Sequence, residues 1–330
     1  METYLTEAEK RVASRTLKDY QRINKTQIVP SLGKIHTHKL RRGNVIKFLE
    51  SVDGARSKQY AYTVLKGALA AHMRHVDPRD HPFPPRSTPK VKRREYMPLG
   101  EIEKTKLFQS FGDDTYGVVN LLMVSTGSRQ SEILGLRWQD IGTDHISIHR
   151  KLDESSRESD RTKTLTSRRR VDVPERIIDA LERHRARLKQ QHNDYLAWKI
   201  APPESKRKDR LEKQPPPVGS ECGDSDLVFV NRRGKSIHAS NLRRSWRALR
   251  KQLGLPDNVL NKDMRHEHGS RLTRAGVHPK VTQERLGHSS FRVTMDIYSH
   301  LMPGMQQQAV DIVDAMLATP NVTPNLDHPI

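Results

Sequence analysis

Between His81 and Pro98 the chain reads HPFPPRSTPKVKRREYMP, with five prolines and five Lys/Arg. Proline lacks a backbone N–H and restricts the residue before it, so this stretch suits neither a helix nor an inner strand. It is also too short to enclose a core. A chain of 330 residues interrupted in this way folds as two bodies joined by an extended, basic linker. The expected boundaries are 1–80, a linker at 81–96, and 97–330.

The two parts differ in periodicity. In the first, EAEKRVASRTLKDYQRI sets Val12, Leu17, Tyr20 and Ile23 at helical spacing. RRGNVIKFLESV and SKQYAYTVLKGALAAHMRHV each carry an apolar stripe and a basic face, and Asp77-Pro78 stops the latter. The second part opens with helical LGEIEKTKLFQSF and GVVNLLMVSTG. After Trp138 the period changes to two in HISIHR, with Ile146 and Ile148 on one face. RTKT and RRRVDVP read as further short strands, and RIIDALERHRARLKQQ returns to helix. Residues 201–226 are a polar insertion with five prolines. LVFV reads as a short buried strand. SNLRRSWRALRKQLG reads as a helix capped by Ser240 and stopped by Gly254. An amphipathic helix is expected at about 304–317, carrying Val310, Ile312, Val313, Met316 and Leu317. The fold class is mainly α with a small antiparallel β-sheet: an all-helical domain followed by a mixed α+β domain.

The net charge is +20 and the isoelectric point about 10.1, a surplus that points to a polyanion and most simply to nucleic acid. Residues 1–95 hold 21 Lys/Arg against 9 Asp/Glu, a net of +12, and the rest carries +8. Both parts being basic suits a clamp with DNA between two lobes. One cysteine, Cys222, excludes an internal disulfide framework and any multi-cysteine zinc site. His266-Glu267-His268 lacks the His-Glu-x-x-His spacing, so no metal and no cofactor is expected. No apolar run approaches the roughly 20 residues of a membrane span. The acidic N-terminus, METYLTEAEK, is not a signal peptide. A cytoplasmic, nucleoid-associated protein is expected.

In the last third, Arg265, His288 and Tyr298 follow one another at spacings of 23 and 10 in NKDMRHEHGSRLTRAGVHPKVTQERLGHSSFRVTMDIYSH. Upstream, STGSRQSEILGLRW supplies Arg129 and Glu132. With these motifs the chain resembles the tyrosine recombinase, or phage integrase, family. The Arg-His pair, the Leu-Gly-His-Ser-Ser turn and the Tyr-Ser-His ending carry the resemblance, which covers nearly the whole chain. It implies a helical, SAM-like core-binding domain ahead of the catalytic domain. The chain begins at the core-binding helices, and no separate arm-binding domain is expected ahead of them.

The resemblance also implies roles. Arg129 and Arg265 match the family's two arginines that grip the scissile phosphate, where a planar fork meets two oxygens. Tyr298 is the implied nucleophile. A phenol titrates near 10, so it needs cationic neighbours to attack at neutral pH. His288 is implied to bond the phosphate or steer the tyrosine hydroxyl. Lys163, in RTKTLTSRRRVDVP, matches the hairpin lysine that protonates the leaving 5′-oxygen, with Lys151 or a nearby arginine as the alternative. Lys262 stands where the family usually has histidine, and an ammonium cannot accept the tyrosine proton unless its pKa is depressed. Lys262 is therefore read as a phosphate-binding cation. Glu132 is read as bracing the arginine cluster or its own helix. His266 matches a packed structural position.

Arg41, Arg42, Lys58, Lys66, Arg93 and Arg94 are candidate phosphate contacts, which give affinity and salt dependence rather than sequence choice. The implied partners are double-stranded DNA at attachment-type core sites, a homotetramer on two such sites, and accessory DNA-bending or directionality proteins. The implied activity is integration or excision of a phage or other mobile element. The rival readings are a resolvase, a type IB topoisomerase-like nicking enzyme, or a degenerate DNA-binding regulator. The full set of Arg129, Lys163, Arg265, His288 and Tyr298 argues against the last.

Overall fold

The computed structural model describes residues 2–12, 14–70, 81–83, 88–91, 98–152, 158–159, 168–200, 226–231, 234–298, 310–311 and 313–316. It divides into two compact units, Met1–Glu95 and Tyr96–Ile330.

The regular elements described in the first unit are all helical. The unit holds α1 (Glu2–Arg11), α2 (Ser14–Ile23), a π-helical turn (Asn24–Ile28), α3 (Val29–Leu32), α4 (Arg42–Glu50) and α5 (Ala55–Leu69). The single helix expected over Glu7–Ile23 is instead two helices that fold back on each other. The rings of Tyr4 and Tyr20 stack with centroids 6.1 Å apart. Sixteen residues of uninterrupted helix would hold them about 24 Å apart. Ala61, Val64 and Leu65 of α5, at helical spacing, join Ile23, Ile28, Val45 and Phe48 in one core. Phe83 packs its ring against Tyr62 at 5.4 Å, so this core reaches into the proline-rich segment.

The second unit is built around α7 (Thr115–Thr126). Asp114 caps it, its carboxylate accepting from the Tyr116 and Gly117 amides at 2.8 and 3.2 Å. Val118, Val119, Leu122 and Met123 are all at most 1% exposed, so this helix is apolar nearly all round and must be covered on every side. Each such side chain contributes roughly 1.5–3 kcal/mol. The other helices of this unit include α6 (Glu101–Gln109), α8 (Gln130–Ile133), α9 (Glu175–Ile200), α10 (Ala239–Gln252), α11 (Asp263–Arg274), α12 (Pro279–Leu286) and α13 (Phe291–Tyr298); α8, α9 and α11 pack on α7, and α13 on α11 and α12. Two buried polar contacts fix α11 and the turn before it. Lys104 of α6 meets Glu267 at 3.1 Å, and Asn120 of α7 accepts from the Asn261 amide at 2.5 Å.

The β-structure is small and antiparallel. Strand β1 (His145–Ile148) pairs with β4 (Arg169–Asp172), His145 opposite Asp172 and Ile148 opposite Arg169. Strand β2 (Lys151–Leu152) pairs with β3 (Glu158–Ser159). Ile146, Ile148 and Val171 are fully buried, as the period of two requires. Leu227–Val230 is buried but forms isolated bridges, Leu227 to Arg137 and Val230 to Ser236, rather than a strand. α10 starts one residue before Ser240, and its cap is His238, whose Nδ1 accepts from the Ser240 amide at 3.2 Å. The expected insertion lies outside the described residues except for Asp226. Of the expected terminal helix, residues 310–311 and 313–316 are described and helical.

Candidate active site

α7 ends at Gly127 in the left-handed region, φ +66°. A Cβ there would lie 2.6 Å from both His268 Cδ2 and Leu286 Cδ2, so only glycine lets this turn press against α11 and α12. Arg129 follows as the cap of α8. Glu132 reaches back one turn: Oε2 accepts from the Arg129 amide at 2.9 Å and Oε1 from Arg129 Nη1 at 2.8 Å. The Arg129 side chain is braced at one nitrogen yet 46% exposed, which leaves donors for a ligand. Arg265, on α11, donates from Nη1 to the Gly127 carbonyl at 2.7 Å. Two arginines 136 positions apart in the chain are thus anchored on one turn.

A third guanidinium, Arg169, joins them, and the sequence reading did not single it out. Its side chain is 6% exposed. Nη2 donates to Glu132 Oε2 at 2.9 Å and to Ser128 Oγ at 3.0 Å, and Nε donates to the Arg285 carbonyl at 2.7 Å. Gly287, φ +62°, passes so close that a Cβ there would lie 2.8 Å from Arg169 Nη1. Arg169 therefore ties the hairpin strand to the Arg129 turn and to the turn that carries His288. The signal was available: residues two apart on a strand share a face, and Arg169 lies two before the fully buried Val171. Burial pushes the Glu132 carboxyl up, but Arg169 and Arg129 outweigh it and hold the group below the usual carboxylate range.

His288 follows Gly287 and is 8% exposed, its Nδ1 2.9 Å from Thr294 Oγ1. Burial, then the charges of Arg265 and Arg129, push its pKa down to about 3. The phenomenon recurs at His268 and His184, each lowered to about 4, first by burial. His268 lies against Arg285, and its Nδ1 donates to the Val124 carbonyl at 2.9 Å. These three rings fold neutral. The unfolded chain protonates them below the ordinary histidine pKa near 6.5. The unfolded state then binds more protons, so stability rises with pH between about 4 and 6.5. The melting temperature is expected to fall steadily from pH 7 to pH 5, and less steeply in His184→Gln. A flat profile over that window would show that these histidines fold charged.

Lys262 is exposed at the start of α11. Tyr298 is the last residue of α13, described through its backbone only. Lys163, Arg93 and Arg94 lie outside the described residues. Arg41, Arg42 and Lys66 are exposed and Lys58 half-buried, all in the first unit. Arg41 donates to the His38 carbonyl at 2.8 Å, and Lys66 stands over the Tyr62 ring. Among the described residues no cluster of three His, Cys, Asp or Glu could hold a metal ion, and no helix is long and apolar enough to cross a membrane.

Comparison with known proteins places this arrangement. A XerC-like tyrosine recombinase of Caldanaerobacter subterraneus is 28% identical over 207 residues, 59% of this chain and 48% of that protein. The ICEBs1 integrase of Bacillus subtilis is 27% identical over 208 residues, covering 58% and 46%. The chain therefore spans about half the length of these two relatives. An integrase of Streptomyces ambofaciens is 26% identical over 324 residues, covering 90% and 74%. In fold, the chain is similar to the Tn1549 transposon integrase solved with circular intermediate DNA, with a TM-score of 0.69, 18% identity, and 94% and 98% of the two chains covered. It is also similar to a lambda integrase tetramer bound to a Holliday junction, with a TM-score of 0.61, 17% identity, and 90% and 75% covered. The model of the phage integrase family matches residues 114–304, more than half of the sequence and the whole stretch from Asp114 to beyond Tyr298, so the chain belongs to the phage integrase family of tyrosine recombinases.

Proposed function

We propose that this chain is a site-specific recombinase that cuts and rejoins duplex DNA through a 3′-phosphotyrosyl intermediate, in the integration or excision of a mobile element. The carrying observation is the meeting of three distant motifs. Arg265 bonds the turn before Arg129, and His288 lies in the field of both guanidiniums. The described cluster is rich in donors and poor in anions, with Glu132 engaged by two arginines, as a phosphate site requires.

In this reading the scissile phosphate takes the place beside Arg129 and Arg265. Each fork neutralises charge that gathers on the non-bridging oxygens, worth very roughly 3 kcal/mol in the transition state. His288, neutral at physiological pH, adds a hydrogen bond. Lys262 adds a further cation. The Tyr298 hydroxyl attacks phosphorus and releases its proton to solvent, and Lys163 gives its own proton to the departing 5′-oxygen. The 5′-hydroxyl of a partner duplex reverses the step. Bond energy is kept in the phosphotyrosine, so resealing consumes no nucleotide.

The first unit acts as the core-binding domain, with Arg41, Arg42, Lys58, Lys66, Arg93 and Arg94 on the DNA backbone. Val310, Val313 and Met316, spaced by three and exposed at 57, 52 and 78%, offer an apolar stripe to a neighbouring protomer. A homotetramer on two DNA sites, acting in the cytoplasm on the nucleoid with accessory proteins, completes the proposal.

The test uses a nicked duplex containing the DNA that flanks the gene. Covalent capture of the protein is expected in EDTA and without ATP, because the two arginines and the lysines supply the charge and the neutral histidine a hydrogen bond. Capture that appears only on adding Mg²⁺ would sink this mechanism.

A further inference from the structure

Thr294 lies on α13, four residues and about one helical turn before Tyr298, and is fully buried. Four threonines elsewhere on α-helices in this protein return their hydroxyl proton to the carbonyl four residues back, while the buried Thr282 of α12 makes no such bond. The four are Thr63 to Gln59, Thr105 to Glu101, Thr126 to Leu122 and Thr273 to Gly269. Thr294 does not. Its hydrogen-bond partner among the described residues is His288 Nδ1 at 2.9 Å. A buried hydroxyl that fails to donate loses the bond it had with water, so its proton goes to that nitrogen. Nδ1 then carries the lone pair, and the ring proton of the neutral imidazole sits on Nε2.

The neighbouring histidines show that this choice is local. The Val124 carbonyl beside His268 Nδ1 can only accept, and Arg285 donates toward Nε2 at 3.4 Å, so His268 carries its proton on Nδ1. His184 is the reverse: Nε2 donates to the Val228 carbonyl at 2.9 Å while Arg187 donates to Nδ1 at 2.9 Å. A hydroxyl, which can donate, places His288 with His184.

We infer that Thr294 is a positioning residue that fixes His288 in its Nε2–H form and makes that form depend on the seating of the helix carrying Tyr298. This rests on the reading of His288 as a phosphate ligand and of Tyr298 as the nucleophile. Nε2–H makes the ring a hydrogen-bond donor to a phosphate oxygen and not a base toward the phenol. When α13 is displaced, the hydroxyl leaves Nδ1 and the ring loses its tautomer. The histidine and the nucleophile are thereby readied by one event.

The test is nitrogen NMR of the full-length protein with labelled histidine, each ring assigned by single replacement. His184 and His268 serve as internal references for the two tautomers. His288 is expected to match His184. Thr294→Val, which keeps the shape and removes the hydroxyl, is expected to mix the His288 tautomers. It is also expected to slow single-turnover cleavage at saturating DNA by about tenfold or more, on the scale for loss of an orienting partner. DNA affinity stays unchanged, and Thr294→Ser restores both readouts. A wild-type His288 that matches His268 overturns the inference whatever the variants do. A slow Val variant with the wild-type tautomer overturns it as well. Wild-type protein that forms no Tyr298 adduct sinks the nucleophile reading, a failure distinct from either tautomer result.

Discussion

Tyr298→Phe is expected to bind DNA as tightly as the wild type and to form no covalent adduct on a nicked substrate. The change removes one oxygen from the last residue of α13 and leaves the cationic cluster as it was. Arg129 remains braced by Glu132, Arg265 remains on the Gly127 carbonyl, and His288 remains on Thr294. On the proposed function, affinity comes from phosphate contacts spread over two basic units, so it is insensitive to one hydroxyl. The proposed chemical step has no second route, because in it the phenol oxygen itself becomes the bond to phosphorus. The expected effect is therefore total on capture and negligible in a gel shift. Residual capture in the Phe variant would place the nucleophile elsewhere, and weakened binding would mean that the hydroxyl serves the DNA complex before cleavage.

Local pattern carried most of the fold. The change to a period of two after Trp138 marks β1, because Ile146 and Ile148 must share the buried face. The length and apolar content of GVVNLLMVSTG mark the central helix, and the glycine after it marks its end. The fold-back of α1 on α2 was not legible, because the spacing of Val12, Leu17, Tyr20 and Ile23 also suits one helix, and Tyr4, whose ring stacks on Tyr20, lies ahead of that stretch. In the site, Arg129 and Glu132 lie within one turn, so their mutual brace has a sequence signature. Arg169 has none of that kind. Its partners Ser128, Glu132 and Arg285 are 41, 37 and 116 residues away, and only the tertiary fold brings them to one guanidinium. The same holds for Asn120 with Asn261, 141 residues apart, and for His288, whose orienting hydroxyl comes from the next helix.

Glu132→Ala is expected to be the most destabilising single change in the site, and its cost to arise from what remains rather than from what is lost. The carboxylate side chain is 4% exposed and accepts from Arg129 at one oxygen and from Arg169 and the Arg129 amide at the other. Removing it leaves Arg169, itself 6% exposed, facing a second guanidinium with no anion between them. Breaking a buried pair in this way typically costs about 3–5 kcal/mol, a large share of the stability of an ordinary domain. Because the folded-state pKa of Glu132 lies below its usual value, its contribution is fully present above the ordinary carboxylate range. It is lost only as pH falls through the depressed value, so at neutral pH the whole effect shows. Denaturant titration of Glu132→Ala measures it. The double variant Glu132→Ala with Arg169→Met separates two roles for the carboxylate. Removing the orphaned charge should recover much of the stability, since the two sites share one interaction. Cleavage should stay low at saturating DNA, because Arg129 has still lost the brace that aims it. Recovery of both stability and cleavage would mean that Glu132 serves only to neutralise Arg169. Recovery of neither would mean that the Arg169 guanidinium is needed for its bonds to Ser128 and the Arg285 carbonyl, and that the strut across the three motifs, not its charge balance, holds the site together.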